Sequence, residues 1–308
     1  MKYIQITNTD LKASNIIMGN MRLKELSLNE AETLIRTAMD EGINFFDHAD
    51  IYGAGTCEEI FADAIQMNAR IREKMIIQSK CGIRAKENYY DFSKEHILRS
   101  VDGILQRLKT DYLDILLLHR PDPLMEPAEV AEAFEELQSS GKVNYFGVSN
   151  FNPTQIELLK KSVPQKLVVN QLQFSIAHTP MIDSGIALNM QIDQSINRDS
   201  SVLEYCRLND ITVQAWSPFQ HGFFKGVFLG DTENFPELNE VISTLAKKYE
   251  VTGTAIATAW ITRHPANIQV VLGTTKPSRL QDACKGSEIP LTRQEWYQIY
   301  KAAGNMVP

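Results

Sequence analysis

Apolar runs too short for a membrane and too continuous for a half-wet sheet recur along this chain. They fall near residues 15–18, 43–46, 74–79, 113–118, 143–148, 167–170, 211–215 and 268–272. A strand with one solvated face alternates apolar and polar residues. These runs do not, so they read as strands covered on both faces, as in a parallel sheet sheathed by helices. Several end on a side chain that can do chemistry: Asn44-Phe45-Phe46 meets Asp47, Met75-Ile76-Ile77 leads to Lys80, and Ile115-Leu116-Leu117-Leu118 stops at His119. Strand ends are where α/β folds assemble their sites.

The intervening segments carry helix punctuation. Ser27 with Glu30 and Thr56 with Glu59 match capping boxes, and Asn152-Pro153-Thr154-Gln155 supplies an N-cap followed by proline. Gly42 and Gly141 stand where helix-ending glycines belong. Ile97, Val101, Ile104, Leu105 and Leu108 recur at helical spacing, as do Val130, Phe134 and Leu137, giving each helix one apolar stripe to lay on a sheet. Eight strand–helix units in 308 residues predict an α/β fold of the (β/α)8 TIM-barrel type, one domain over residues 1–308. The rival, a doubly wound open sheet, would show a G-x-G-x-x-G turn after the first strand, and Met18-Gly19-Asn20-Met21-Arg22-Leu23 is nothing like it. Residues 2–6 and 11–15 read as an N-terminal β-hairpin, and 292–303 as an extra C-terminal helix. The stretch 175–200 is long for a loop after a barrel strand, which points to a functional loop or an interface.

A formal net charge of −7 argues against nonspecific binding to nucleic acid or to an anionic membrane, while a local basic cluster could still hold a small anion. Cys57, Cys81, Cys206 and Cys284 lie far apart, with no C-x-x-C pair and no histidine at ligand spacing. The expectation is reduced thiols, no metal and a cytoplasmic location. No export signal or membrane-length apolar run is present in the sequence.

Asp47, Tyr52, Lys80 and His119 come from the ends, or the following loops, of the second, third and fourth strands, which a barrel sets side by side. Taken singly, each has a plainer reading: a helix cap, a surface amine, a satisfied core histidine. Together they are harder to dismiss, because a lysine and an aspartate on neighbouring buried strand ends are costly unless paired. A tyrosine beside that lysine would have its pKa pulled down from about 10. Tyr52 is thereby a candidate general acid.

Phe46-Asp47-His48-Ala49-Asp50-Ile51-Tyr52-Gly53, Ser79-Lys80, Leu118-His119, Gly147-Val148-Ser149-Asn150-Phe151, Asn170-Gln171 and Gly273-Thr274-Thr275-Lys276-Pro277-Ser278-Arg279-Leu280 resemble, in order and over the whole chain, the motifs of the aldo-keto reductases. The resemblance implies a (β/α)8 barrel that binds NADP(H) without a Rossmann fold, and a tetrad of Asp47, Tyr52, Lys80 and His119. It implies that Ser149, Asn150 and Gln171 hold the nicotinamide carboxamide and that Trp216 stacks on the ring. Ser217, Pro218, Phe219, Gly222 and Lys225 match the loop along the pyrophosphate. Gly273, Thr275, Lys276, Arg279 and Asp282 match the adenosine end, with Lys276 and Arg279 toward the 2′-phosphate. Some members carry lysine where this chain has Gly273, and an acid followed by asparagine where it has Asp282-Ala283.

The function so implied is NADPH-dependent reduction of an aldehyde or ketone, with Tyr52 as acid and Lys80 lowering its pKa. An oligomer is possible. Two alternatives stand beside it: a nucleotide-binding redox sensor or regulatory subunit with low turnover, and a barrel enzyme using Lys80 as a Schiff-base nucleophile. Substrate choice is expected from the loops after the first, fourth, sixth and seventh strands and from the tail.

Overall fold

The computed structural model describes residues 1–308. Eight parallel strands close a barrel: β1 (Ile16–Gly19), β2 (Phe45–Asp47), β3 (Ile76–Cys81), β4 (Leu113–Leu118), β5 (Val143–Ser149), β6 (Leu167–Gln173), β7 (Thr212–Trp216) and β8 (Gln269–Leu272). Each pairs with its sequence neighbours, and β8 returns to β1 through Val270–Ile16, Val271–Ile17 and Leu272–Met18. All eight apolar runs are therefore barrel strands.

Continuous apolar runs are needed because both faces of each strand are dry. Phe45, Ile76, Ile115 and Leu117 belong to a cluster inside the barrel with Val168, Val169 and Val271. Their neighbours Phe46, Ile77, Leu116 and Leu118 belong to the larger cluster that joins the barrel to its helices. The two-residue period of a strand sets the direction of the polar side chains beyond them. Phe45 points inward, so Asp47 does too. The same step leads from Ile76 to Gln78 and Lys80, and from Leu117 to His119.

The hairpin Tyr3–Gln5 with Lys12–Ser14 is antiparallel, and its Ile4, Ile6 and Ala13 pack into the inner cluster. It closes the floor of the barrel, opposite the strand ends that carry the site. The C-terminal helix Arg293–Ala302 lies outside the repeat. Trp296 stacks on Trp260 at 4.7 Å, and each indole N–H donates to the other's carbonyl oxygen at 3.0 Å.

Most of the helix punctuation holds. Ser27–Glu30 and Asn152–Gln155 form reciprocal capping boxes, and Gly42 and Gly141 adopt positive φ just past their helices. Thr56 does not cap its helix. Gly55 holds the N-cap position at φ 94°, and Thr56 is the first helical residue. The backbone conformation requires glycine there, and a side chain at Gly55 would also meet Arg107 Cδ at 2.7 Å and displace an arginine paired with Glu58. The sharp turn through Gly53 and Ala54, also in the left-handed region, leaves no extended residue for a threonine cap to occupy.

The stretch 175–200 holds a short α-helix, Pro180–Ile186, and a 3-10 turn, Asp193–Ser195, and packs on the C-terminal helix and tail. Tyr300 donates to Asp183 at 2.7 Å, and Gln194 donates to Met306 O at 2.9 Å.

Candidate active site

The open end of the barrel holds a cavity of about 1180 Å³, reached by the loops after most of the strands. At its base lies a buried ion pair. Lys80 is fully buried and Asp47 is 2% exposed. Lys80 Nζ donates to Asp47 Oδ2 at 2.6 Å, to His48 O at 2.8 Å and to Tyr52 Oη at 3.2 Å. Three contacts use the three N–H groups of the ammonium. Burial alone pulls the Lys80 pKa down, but Asp47 and Tyr52 outweigh it, and the net displacement is upward. Lys80 is held charged.

Asp47 is positioned from the other side by glutamines. Its Oδ1 accepts from Gln78 Nε2 at 2.6 Å and from Gln171 Nε2 at 3.0 Å. Both amides also donate to Gln214 Oε1, at 2.8 and 3.0 Å. Gln214 donates to Gln269 at 3.1 Å, and Gln269 donates to Ser14 O at 2.8 Å. This chain of carboxamides crosses the barrel from β8 to β2 and orders the carboxylate through a connected set of buried amides, in which Gln78 Oε1 is left buried without a partner. The sequence reading missed it. The signal was there in Ile77-Gln78, Val213-Gln214-Ala215 and Ile268-Gln269-Val270, amides set in the middle of runs otherwise buried and apolar.

Tyr52 reaches the pair from the loop after β2. His48 N donates to Gln78 O at 2.8 Å and Asp50 N to Lys80 O at 3.0 Å, so the loop stays zipped to β3 beyond the end of the strand. Tyr52 then turns back over Lys80, its ring partly exposed on the cavity wall. The expected fall in its pKa does not occur. Burial raises it and Asp47 adds to the rise, and together they exceed the downward pull of Lys80. Tyr52 is thus a protonated phenol with an ammonium aligned on its oxygen, an arrangement able to stabilise negative charge there.

His119 stands beside it, the two ring centroids 6.0 Å apart. Burial, then Lys80 and Arg120, push its pKa well below the ordinary histidine value. It is a neutral imidazole, and its Nδ1 is buried without a protein partner.

Ser149, Asn150 and Gln171 line the cavity next to this cluster. Asn150 adopts φ 63°, donates to Ser149 Oγ at 2.8 Å and accepts from Trp216 Nε1 at 3.0 Å. The indole is thereby fixed as one wall. Ser217, Pro218, Phe219, Gly273, Thr275, Lys276 and Arg279 also line the cavity. Gly222, Lys225 and Asp282 do not: the first two lie on the same loop away from the lining, and Asp282 pairs with Lys285 at 3.5 Å.

Other wall residues were not expected. The loop after β3 folds into a small hairpin, Ile83–Arg84 against Tyr89–Tyr90, and brings Ile83, Asn88, Tyr89 and Tyr90 to the rim. Two adjacent exposed tyrosines soon after the strand that carries Lys80 were the available signal. Arg120, directly after His119, faces Trp216 and Phe223 with its guanidinium 5.6 and 5.8 Å from the ring centroids. The long 175–200 stretch and the tail supply nothing to this cavity, although His178, Met181 and Arg198 border a second one of about 430 Å³.

A barrel with a titratable cluster at its strand ends defines a class of enzyme, and comparison with known proteins gives the family. The sequence profile of the Aldo/keto reductase family matches residues 15–303; the chain belongs to this family of oxidoreductases. It is 38% identical to the uncharacterized oxidoreductase YcsN of Bacillus subtilis, covering 98% of each chain. It is 33% identical to a 6-dehydroglucose reductase of Agrobacterium fabrum, covering 95% of each. Among solved structures, an aldo/keto reductase of Klebsiella pneumoniae in complex with NADP and acetate superposes with a TM-score of 0.74 at 22% identity, over 96% of this chain and 93% of that one. No helix is long and apolar enough to cross a membrane.

Proposed function

We propose that this chain is an NADPH-dependent carbonyl reductase in which Tyr52 protonates the oxygen of an aldehyde or ketone. The observation that carries the reading is the 3.2 Å contact between Lys80 Nζ and Tyr52 Oη, with Lys80 bonded in turn to Asp47. A phenol is a weak acid, and an ammonium already aligned on its oxygen stabilises the phenolate as charge develops. His119, a neutral imidazole on the cavity wall beside Tyr52, is suited to donate a hydrogen bond to the same carbonyl oxygen and orient it. Lys80 keeps all three N–H contacts within the protein, which leaves it a poor Schiff-base nucleophile.

The cavity fits NADP(H) as the hydride source. Gln171 spends its amide nitrogen on Asp47 and Gln214, which leaves Oε1 to accept from a carboxamide. Ser149 and Asn150 sit beside it, and Trp216 offers a held ring face. Lys276 and Arg279 have no acidic partner, and they begin the helix Pro277–Lys285, whose N-cap residue gives no side-chain cap. Two cations without acidic partners at the start of a helix suit a phosphate dianion. When bound, the nicotinamide supplies the hydride and the protein supplies position and the proton. The named activity of the Agrobacterium relative and the NADP of the Klebsiella structure support the same reading.

Tyr52→Phe tests it. Reduction of a panel of aldehydes and ketones, followed by loss of reduced-nicotinamide absorbance, is expected to fall by at least about 10²-fold, the usual scale of acid catalysis. NADPH affinity, read from tryptophan fluorescence, is expected to stay within about threefold, since the phenol lies outside the residues assigned to the nucleotide. Near wild-type turnover in the variant would remove the acid assignment.

A further inference from the structure

Arg120 lies in the cavity wall with no role in the chemistry just described. Arg72 and Arg107, two other arginines withdrawn from solvent, each meet a carboxylate at 2.7 Å. Arg120 does not. It forms no ion pair and no hydrogen bond, and its charged neighbours include no aspartate or glutamate. What holds it is aromatic: the faces of Trp216 and Phe223. A guanidinium held in this way keeps its planar fork of N–H groups for a ligand, and a partly buried cation without a partner gains most when an anion arrives.

The composition of the wall points the same way. Arg22, Arg120, Lys276 and Arg279 line the cavity, whereas Asp47, already bonded to Lys80, is its only acid. That balance is opposite in sign to the chain's net charge of −7. Arg22 is matched by Glu25 at 2.8 Å, which leaves two free cationic poles. Lys276 and Arg279 come after β8, and Arg120 comes after β4. In the closed strand order these strands stand opposite one another, four places apart either way round. The pole at β8 is taken by the nucleotide in the reading above. The pole at β4 adjoins His119 and Tyr52, where the reacting carbonyl would lie.

We propose that Arg120 anchors an oxyanion on the substrate, so that the preferred substrate is a carbonyl compound carrying a carboxylate or a phosphate. This rests on the reductase reading. The carbonyl oxygen sits at Tyr52 and His119 while the second group reaches the guanidinium, which fixes the substrate at two points and favours charged compounds over neutral ones of the same length.

The test is steady-state reduction with NADPH of two matched pairs: succinic semialdehyde against methyl 4-oxobutanoate, and glyceraldehyde 3-phosphate against glyceraldehyde. Wild-type protein, Arg120→Leu and Arg120→Lys are compared. In the wild type, kcat/KM is expected to favour the charged member of at least one pair by about tenfold or more, mainly through KM, as a charge-assisted contact would give. The pair that responds identifies carboxylate or phosphate. Arg120→Leu is expected to bring that ratio close to one, and Arg120→Lys to restore part of it. An absent charge preference in the wild type would overturn the proposal. So would an unchanged ratio in Arg120→Leu, the signature of a structural role, or a matching loss of NADPH affinity, the signature of a cofactor contact. If no aldehyde is reduced at all, the reductase reading fails separately. Quenching of tryptophan fluorescence by succinate or inorganic phosphate then decides: saturation in the wild type that disappears in Arg120→Leu supports the anion site, and its absence in the wild type overturns it.

Discussion

The two ends of the cavity solve the problem of charge in opposite ways. At the base, Lys80 and Asp47 are shut away from water, and every strong donor on Lys80 has an acceptor within the protein. At the rim, Lys276 and Arg279 have no acidic partner. The difference is one of solvation. A buried charge must be paired by the fold, because leaving it alone costs several kcal/mol, whereas an exposed one can wait in water for a ligand. The base is therefore assembled during folding, and the rim is left open to a ligand. Arg120 is intermediate, withdrawn from water yet matched only by ring faces.

The comparison is most readily broken at Asp47. Asp47→Ala strands a buried ammonium and is expected to cost about 3–5 kcal/mol in urea unfolding, whereas Arg279→Ala, in the absence of nucleotide, is expected to stay within about 0.5 kcal/mol. Similar losses at the two positions would mean that the ends do not differ as described. Arg279→Ala sharpens the contrast in ligand binding. It is expected to weaken NADPH about tenfold or more while barely affecting NADH, checked by fluorescence titration; equal losses would remove the phosphate role.

A smaller effect comes from Asp50, a third kind of charge at the base. Burial, with Glu58 nearby, pushes its pKa from 3.8 up to about 7, and its Oδ1 has no partner. A carboxyl raised on folding contributes stability that is complete below its unfolded value and is lost as pH rises through the folded one. The gain in Tm from Asp50→Asn is therefore expected to grow between about pH 4 and 8. His48 works in the other direction. Burial and Lys80 push it down to about 3, so its contribution is present above the ordinary histidine range and is lost as pH falls toward 3. A pH-independent difference between Asp50→Asn and wild type would show that the carboxyl titrates normally.

The features legible in the sequence are those that repeat. All eight strands are marked by apolar runs, and the inward direction of Asp47, Lys80 and His119 comes from counting by twos along strands whose other residues are core. The features that escaped depend on partners distant in the chain. Thr56 fails as a cap because the loop before it, tied to β3 by Asp50 N donating to Lys80 O, turns through the left-handed region at Gly53, Ala54 and Gly55 and is already helical at Thr56. The tyrosines of the β3 hairpin reach the rim only because that loop folds back on itself. Tyr52 carries the sharpest lesson. Its neighbour Lys80 is readable from the strand ends, but the depth of its hydroxyl is not, and depth decides the direction of its pKa.

The sequence by itself determined a closed parallel barrel and the strand ends that meet at one mouth, because periodicity and burial are local properties written residue by residue. Only the tertiary structure decided how the charges at that mouth are balanced: the carboxamide chain behind Asp47, the phenol held protonated by burial, and the guanidinium of Arg120 facing the cavity without a carboxylate. The physical reason is that electrostatic energy depends on distance and solvent exposure in three dimensions, and neither quantity is carried by position in the chain.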